Sequence, residues 1–214
     1  MQTETKRIES FSDGVFAVAI TLLILEIKAP RATAGNLAHA LAEDWPSYLA
    51  FVLSFFYIGV MWIDHHRVFA HIRRSNDTLV ILNLLLLLGV SAAPFPTGLL
   101  ATNLGTPDQR TAQVLYDAVF LAITTFFNVL WRYALSRQLI DKSLSASAAT
   151  ISRVAALGPW MYAACLALAY VNVWVSLFFN IVLAIFFALP LDWVRKSMMT
   201  ARRDESHAND EGHS

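Results

Sequence analysis

Long apolar runs, separated by short charged clusters, are the dominant pattern of this chain. From Val15 to Leu25 every residue is apolar except Thr21. Asp44 and Asp77 bracket a second apolar stretch, interrupted only by the cluster from Asp64 to Arg74. No charge occurs between Asp77 and Asp108, or between Arg153 and Asp192. The runs are continuous rather than alternating, which excludes a β-barrel. A helix needs about 20 apolar residues to cross the hydrocarbon. The pattern predicts an all-α membrane protein with six spans, near residues 11–28, 45–70, 78–102, 112–136, 149–170 and 173–194. The uncharged run from Val154 to Leu191 is too long for one helix and splits near Tyr170–Asn172.

Composition strengthens this picture. Hydrophobic residues make up 57% of the chain, charged residues only 15%, and mean hydropathy is +0.51. A soluble domain averages about 25% charged. Glu26, Lys28 and Pro30 follow the first span, so it carries no small-residue cleavage site. With the N-terminus inside, the inner segments hold thirteen Lys and Arg and the outer segments three. That bias predicts two cytoplasmic termini. Residues 1–196 read as the membrane domain and 197–214 as a disordered cytoplasmic tail. The segments between spans leave no room for a catalytic domain, which argues against an enzyme. Net charge is zero, so nothing points to nucleic acid, and a single cysteine, Cys165, allows no internal disulfide.

The chemistry concentrates at the mouth of the first span, in Arg7-Ile8-Glu9-Ser10-Phe11-Ser12-Asp13-Gly14. A carboxylate at the depth of Asp13 costs roughly 2.5–3.5 kcal/mol on insertion scales. At about 100° per residue, Phe11, Gly14, Val18, Thr21, Leu22, Leu25 and Lys28 share one stripe, with Asp13 about 120° from its centre. The stripe is either a packing seam or the lining of a pore, with Val18, Leu22 and Leu25 as a hydrophobic constriction. Periodicity alone favours the seam, because such stripes occur in any bundle. The uncharged core from Gly14 to Leu25 is only about 18 Å long, which suits a helix shielded by others.

Further polar groups sit level with this cluster. The second span ends in Asp64-His65-His66-Arg67, and Asn83 lies near the inner end of the third. A buried network of Arg7, Ser12, Asp13, His65 or His66, and Asn83 would pin the first helix, with Arg7 able to pair with Asp64. Adjacent histidines diverge on a helix and no other span supplies one, so neither haem nor a metal centre is expected. Asp117 reads as interfacial or paired. Regularly spaced arginines and a Thr-Val-Gly-Tyr-Gly filter are both absent. Pro94 and Pro96 break the third span, and Pro159 kinks the fifth.

Arg7-x-x-x-Phe11-Ser12-Asp13-Gly14 and the run Val15 to Leu23 closely resemble the signature of the lysosomal potassium channel family of the transmembrane protein 175 type, in its single-repeat bacterial form. The segments Trp62 to Arg67, Asn83 and Pro94-Phe95-Pro96-Thr97 extend the likeness. The resemblance implies a homotetramer of six-helix subunits in the bilayer, with the first helices lining a potassium-permeable leak pore that needs no cofactor. It makes Val18, Leu22 and Leu25 the constriction and Thr21 a hydroxyl layer linked to selectivity. Arg7, Ser12 and Asp13 become the network that holds the pore helix. Valine at 18 is smaller than the isoleucine or leucine that this position matches, and a broad monovalent cation preference fits the single-repeat form. Two other expectations stand beside it: a proton- or solute-coupled transporter using Asp13 and His65 or His66, and an assembly subunit without transport.

Overall fold

The computed structural model describes residues 2–30, 36–140 and 145–188. The expected tail at 197–214 and the end of the sixth span lie outside the described residues. Among these residues the chain is helical: α1 (Gln2–Leu22, tightening into a 3-10 turn at Leu23–Glu26), α2 (Leu37–Glu43), α3 (Trp45–His71), α4 (Asp77–Ala92), α5 (Pro94–Asn103), α6 (Gln109–Ser136), α7 (Ser145–Val171) and α8 (Val173–Ala188). Four stretches are long and apolar enough to cross a bilayer: Thr5–Glu26, Trp45–His71, Asp77–Asn103 and Gln109–Ser136. Ala155–Val171 and Val173–Phe187 are shorter apolar helices.

Two boundaries differ from the sequence pattern, and the break expected at Pro94 is present. The first helix begins at Gln2, well before the apolar run, because nothing in Thr3 to Ser10 breaks a helix. The outer connection is not all loop. Leu-Ala-His-Ala-Leu-Ala-Glu consists mostly of good helix formers and folds as α2, with His39 Nε2 3.0 Å from Glu43 Oε1 one turn on. The third span is two helices. Pro94 has no N–H for the Val90 carbonyl, which accepts instead from Ala93 N at 3.2 Å, and α5 starts with Pro94 in its first turn.

Side chains close two further helix starts. Asn76 Oδ1 accepts from Leu79 N at 2.9 Å at the start of α4. Asn172 Oδ1 accepts from Trp174 N at 2.9 Å and Val175 N at 3.2 Å, which starts α8 within a one-residue turn.

The centre of the bundle is α6, which packs against α4, α5, α7 and α8. Its Tyr116, Phe120, Ile123, Leu130 and Trp131 are all buried. Contact with α4 is close at Gly89, where an added Cβ would lie 2.8 Å from Ile123 Cγ1. The other face of the core is α3, against α5 and α8, and α1 rests on α3 and α4. At the C-terminal end of α1, Glu26 lies so near α5 that a Cβ on Gly98 would meet its Oε2 at 1.9 Å.

Several polar groups inside the bundle are matched to one another. Ser54 bonds Thr97 at 2.8 Å and Tyr116 at 3.1 Å, joining α3, α5 and α6. Pro159 in α7 denies the Ala155 carbonyl its usual N–H, and Asn128 Nδ2 on α6 donates to that oxygen at 2.6 Å. Asn128→Leu is therefore expected to cost on the order of 1–2 kcal/mol. In a Pro159→Ala background, which restores the backbone donor, the same change should cost less than half as much. Thermal unfolding of the four variants in detergent measures this, and equal costs in both backgrounds would refute the pairing.

Candidate functional site

The first helix has two chemically opposite faces. Ser12, Phe16, Ala19 and Leu23 are buried against α3 and α4. Phe11, Val18, Leu22 and Leu25 point away from the bundle and are 58%, 57%, 41% and 69% exposed, with Gly14 and Thr21 also exposed. The stripe found by periodicity is thus the face that this single chain leaves uncovered. Beside it lies a shallow groove of about 500 Å³ along Phe11, Gly14, Val15, Val18, Leu22 and Ser91 of α4.

The buried face is held by a chain of hydrogen bonds across three helices. Asn83 Nδ2 on α4 donates to Ser12 Oγ at 3.0 Å, and Ser12 Oγ donates to the Ile8 carbonyl at 2.8 Å. Asn83 Oδ1 lies 2.9 Å from His65 Nε2 on α3, so this nitrogen is the donor. The His65 ring stacks on Phe69 and tilts against Phe16, and its buried Nδ1 has no hydrogen-bond partner. Ser12, Asn83 and His65 are fully buried or nearly so.

The remaining polar residues form separate sets rather than one network. Asp13 Oδ1 accepts from the Trp62 indole N–H at 2.9 Å, not from a histidine or arginine. His66 turns out to solvent and meets Glu9, with Nδ1 to Oε1 at 2.8 Å. Arg7 joins neither set. It precedes Phe11 by one turn, so it lies on the exposed face, and the expected Arg7–Asp64 pair is replaced by Arg67–Asp64 at 3.3 Å. His65 and His66 are neighbours in sequence but occupy opposite environments, as about 100° of helical rotation dictates.

Thr21 Oγ1 lies 3.0 Å from the Ala17 carbonyl and 2.9 Å from that of Val18. Its proton is committed to the helix, so the oxygen turns lone pairs outward.

A second polar cluster lies away from α1. Asp117 on α6 is fully buried rather than interfacial. Its oxygens accept from Gln113 Nε2 at 3.1 and 3.2 Å, Ser176 Oγ at 2.9 Å and Asn180 Nδ2 at 2.9 Å. Tyr57 on α3 completes it, donating to the Asn180 carbonyl. The partners are amides and hydroxyls, with no cation among them. This cluster fastens α3, α6 and α8 and reaches no exposed face of α1.

Asn83→Leu removes both bonds of the bridge and leaves His65 Nε2 unsatisfied. It should cost on the order of 2 kcal/mol, whereas Ser12→Ala, which removes one interhelical bond, should cost about 1. Unfolding midpoints in detergent test this, and equal effects would show that Asn83 does not bridge.

The endosomal/lysosomal potassium channel TMEM175 family profile matches residues 7–94. A potassium channel of Chamaesiphon minutus is 46% identical over 194 residues, covering 88% of this chain and 95% of that one. A potassium channel of Streptomyces collinus is 43% identical over 189 residues, covering 86% and 91%. The crystal structure of a lysosomal potassium-selective channel TMEM175 homolog from Chamaesiphon minutus superposes with a TM-score of 0.81. It is 44% identical over 87% of this chain and 97% of that one.

Proposed function

Because the chain belongs to the TMEM175 potassium channel family, we propose that it is a potassium-permeable channel whose pore is built by the first helix of each of four copies. The observation that carries this reading is the uncovered apolar stripe of α1, set opposite a polar bridge that holds the same helix to its own subunit. One helix cannot enclose a pore, so symmetry must supply the others. The groove beside Gly14 and Ser91 is where a neighbouring copy packs. α7 and α8 complete six spans, the termini face the cytoplasm, and the membrane is the bacterial plasma membrane. The channel domain is 1–196, it is not an enzyme, and it needs no cofactor besides the permeant ion.

Within this assembly Val18, Leu22 and Leu25 form apolar rings that pass ions when wide and dewet when narrow. Thr21 supplies a ring of lone pairs, the polarity a cation requires. Arg7 rings the inner mouth, since it continues the stripe by one turn. Ser12, Asn83 and His65, with Asp13 on Trp62 and Glu9 on His66, hold the helix from behind. The absence of regularly spaced arginines makes the pore a leak rather than a voltage-gated channel. A coupled transporter using Asp13 and His65 or His66 gains no support from the geometry, because the three residues are bonded to different partners.

Val18→Ala and Leu22→Ala are expected to raise potassium flux into liposomes by several-fold, by widening the apolar rings. Unchanged flux in both, from particles of unchanged size, would remove these positions from the constriction. Native mass measurement should give four times the 23.8 kDa chain, and a monomer would end the proposal.

A further inference from the structure

The short helix α2, Leu-Ala-His-Ala-Leu-Ala-Glu, has two unlike flanks. Leu37 and Leu41 are one turn apart and are 52% and 41% exposed, so the bundle leaves them uncovered. His39 and Glu43, also one turn apart, lie about 200° around the helix from the leucines and pair at 3.0 Å. Glu43 faces a polar cleft of about 320 Å³, which it and Asp44 line together with Glu26, Lys28 and Thr102. Charged groups of both signs suit that cleft to water, and the leucines turn away from it.

The helix also sits at a definite level. Only Asp44 separates it from Trp45, where the apolar span Trp45–His71 begins. Trp45 stacks on Trp174 near the start of α8, with ring centroids 6.3 Å apart, and both indoles are about half exposed. Exposed indoles at the starts of two apolar helices mark a boundary between acyl chains and water. From that boundary Trp45, Val52, Phe56 and Ile63, at i, i+7, i+11 and i+18, run down α3 as one exposed stripe. Leu37, Leu41 and Trp45 recur at every fourth residue and lead into it.

We propose that α2 is a membrane-surface helix, seated at the lipid–water boundary with Leu37 and Leu41 among the upper acyl chains and His39 and Glu43 in water. Its partner is the apolar part of the bilayer rather than an anionic headgroup, because Leu37–Glu43 holds no lysine or arginine. Seated in this way, α2 separates lipid from the polar cleft beside Glu26. The seat depends neither on a pore nor on which side of the membrane α2 lies.

The test uses the full-length protein in vesicles of phosphatidylcholine alone. Leu37→Cys, Leu41→Cys and His39→Cys, each in a Cys165→Ala background, carry an environment-sensitive fluorophore at exposed positions. Cys165 is buried, so the same labels can be placed in the otherwise unaltered chain if alanine is not tolerated there. Phosphatidylcholine with a nitroxide high on its acyl chain should quench positions 37 and 41 about twofold more than position 39, and aqueous iodide should give the reverse order. Equal iodide quenching at all three positions would put the leucines in water and overturn the proposal. Protection of 37 and 41 from both quenchers would mean that protein covers them, a second copy of the chain for instance, and would overturn it as well. Flux is not read, so failure here leaves the channel reading intact.

Discussion

A polar group inside hydrocarbon has no water to turn to, and the packing of this helical bundle follows from that. Ser12, Asn83 and His65 each sit on a different helix, and the Asn83 amide bonds both of the others. Asn128 on α6 answers a carbonyl that a proline on α7 has released. Asp117 is satisfied by an amide one turn earlier on its own helix and by a hydroxyl and an amide one turn apart on α8. Lipid tails are as apolar as leucine, so apolar area alone does not choose which helix faces which. These matched donors and acceptors do, and they fix the rotation of α1, α3, α4, α6 and α8 about their axes.

The rotation of α1 matters most. Its polar bridge turns Ser12 inward, and the helical period then sends Val18 and Leu22 outward. No local force holds the apolar stripe away from the subunit. It is left over once Ser12, Phe16, Ala19 and Leu23 have been placed. An uncovered apolar surface is thereby created by satisfying interactions within the chain, and the assembly proposed above depends on them.

Much of this was readable in the chain itself. Charge-free runs located the four long apolar spans, because a buried charge in lipid is expensive enough to leave a mark in composition. The stripe on α1 followed from spacing, and the resemblance pointed to the family before any coordinates. The ends of α1 and the α2 segment were less visible, because polar residues with good helix propensity look like loop when only hydropathy is tracked. Arg7 is assigned wrongly by proximity to Asp64, although its spacing from Phe11 already put it on the outer face. Trp62 escaped because an indole near the interface reads as an anchor, while its N–H is the donor that Asp13 uses. Gln113 and Asp117, and Ser176 and Asn180, are each one helical turn apart, yet nothing in the sequence says that the two pairs meet.

Gly98 carries a consequence of a different kind. The carboxylate of Glu26 occupies the space where any larger residue at 98 would put its first carbon, so the tip of α1 nests on the half-helix that begins at Pro94. Two positions far apart in the chain thus share one small volume. Divergence at one is chained to divergence at the other, and across natural variants a bulkier residue at 98 should travel with a shorter one at 26.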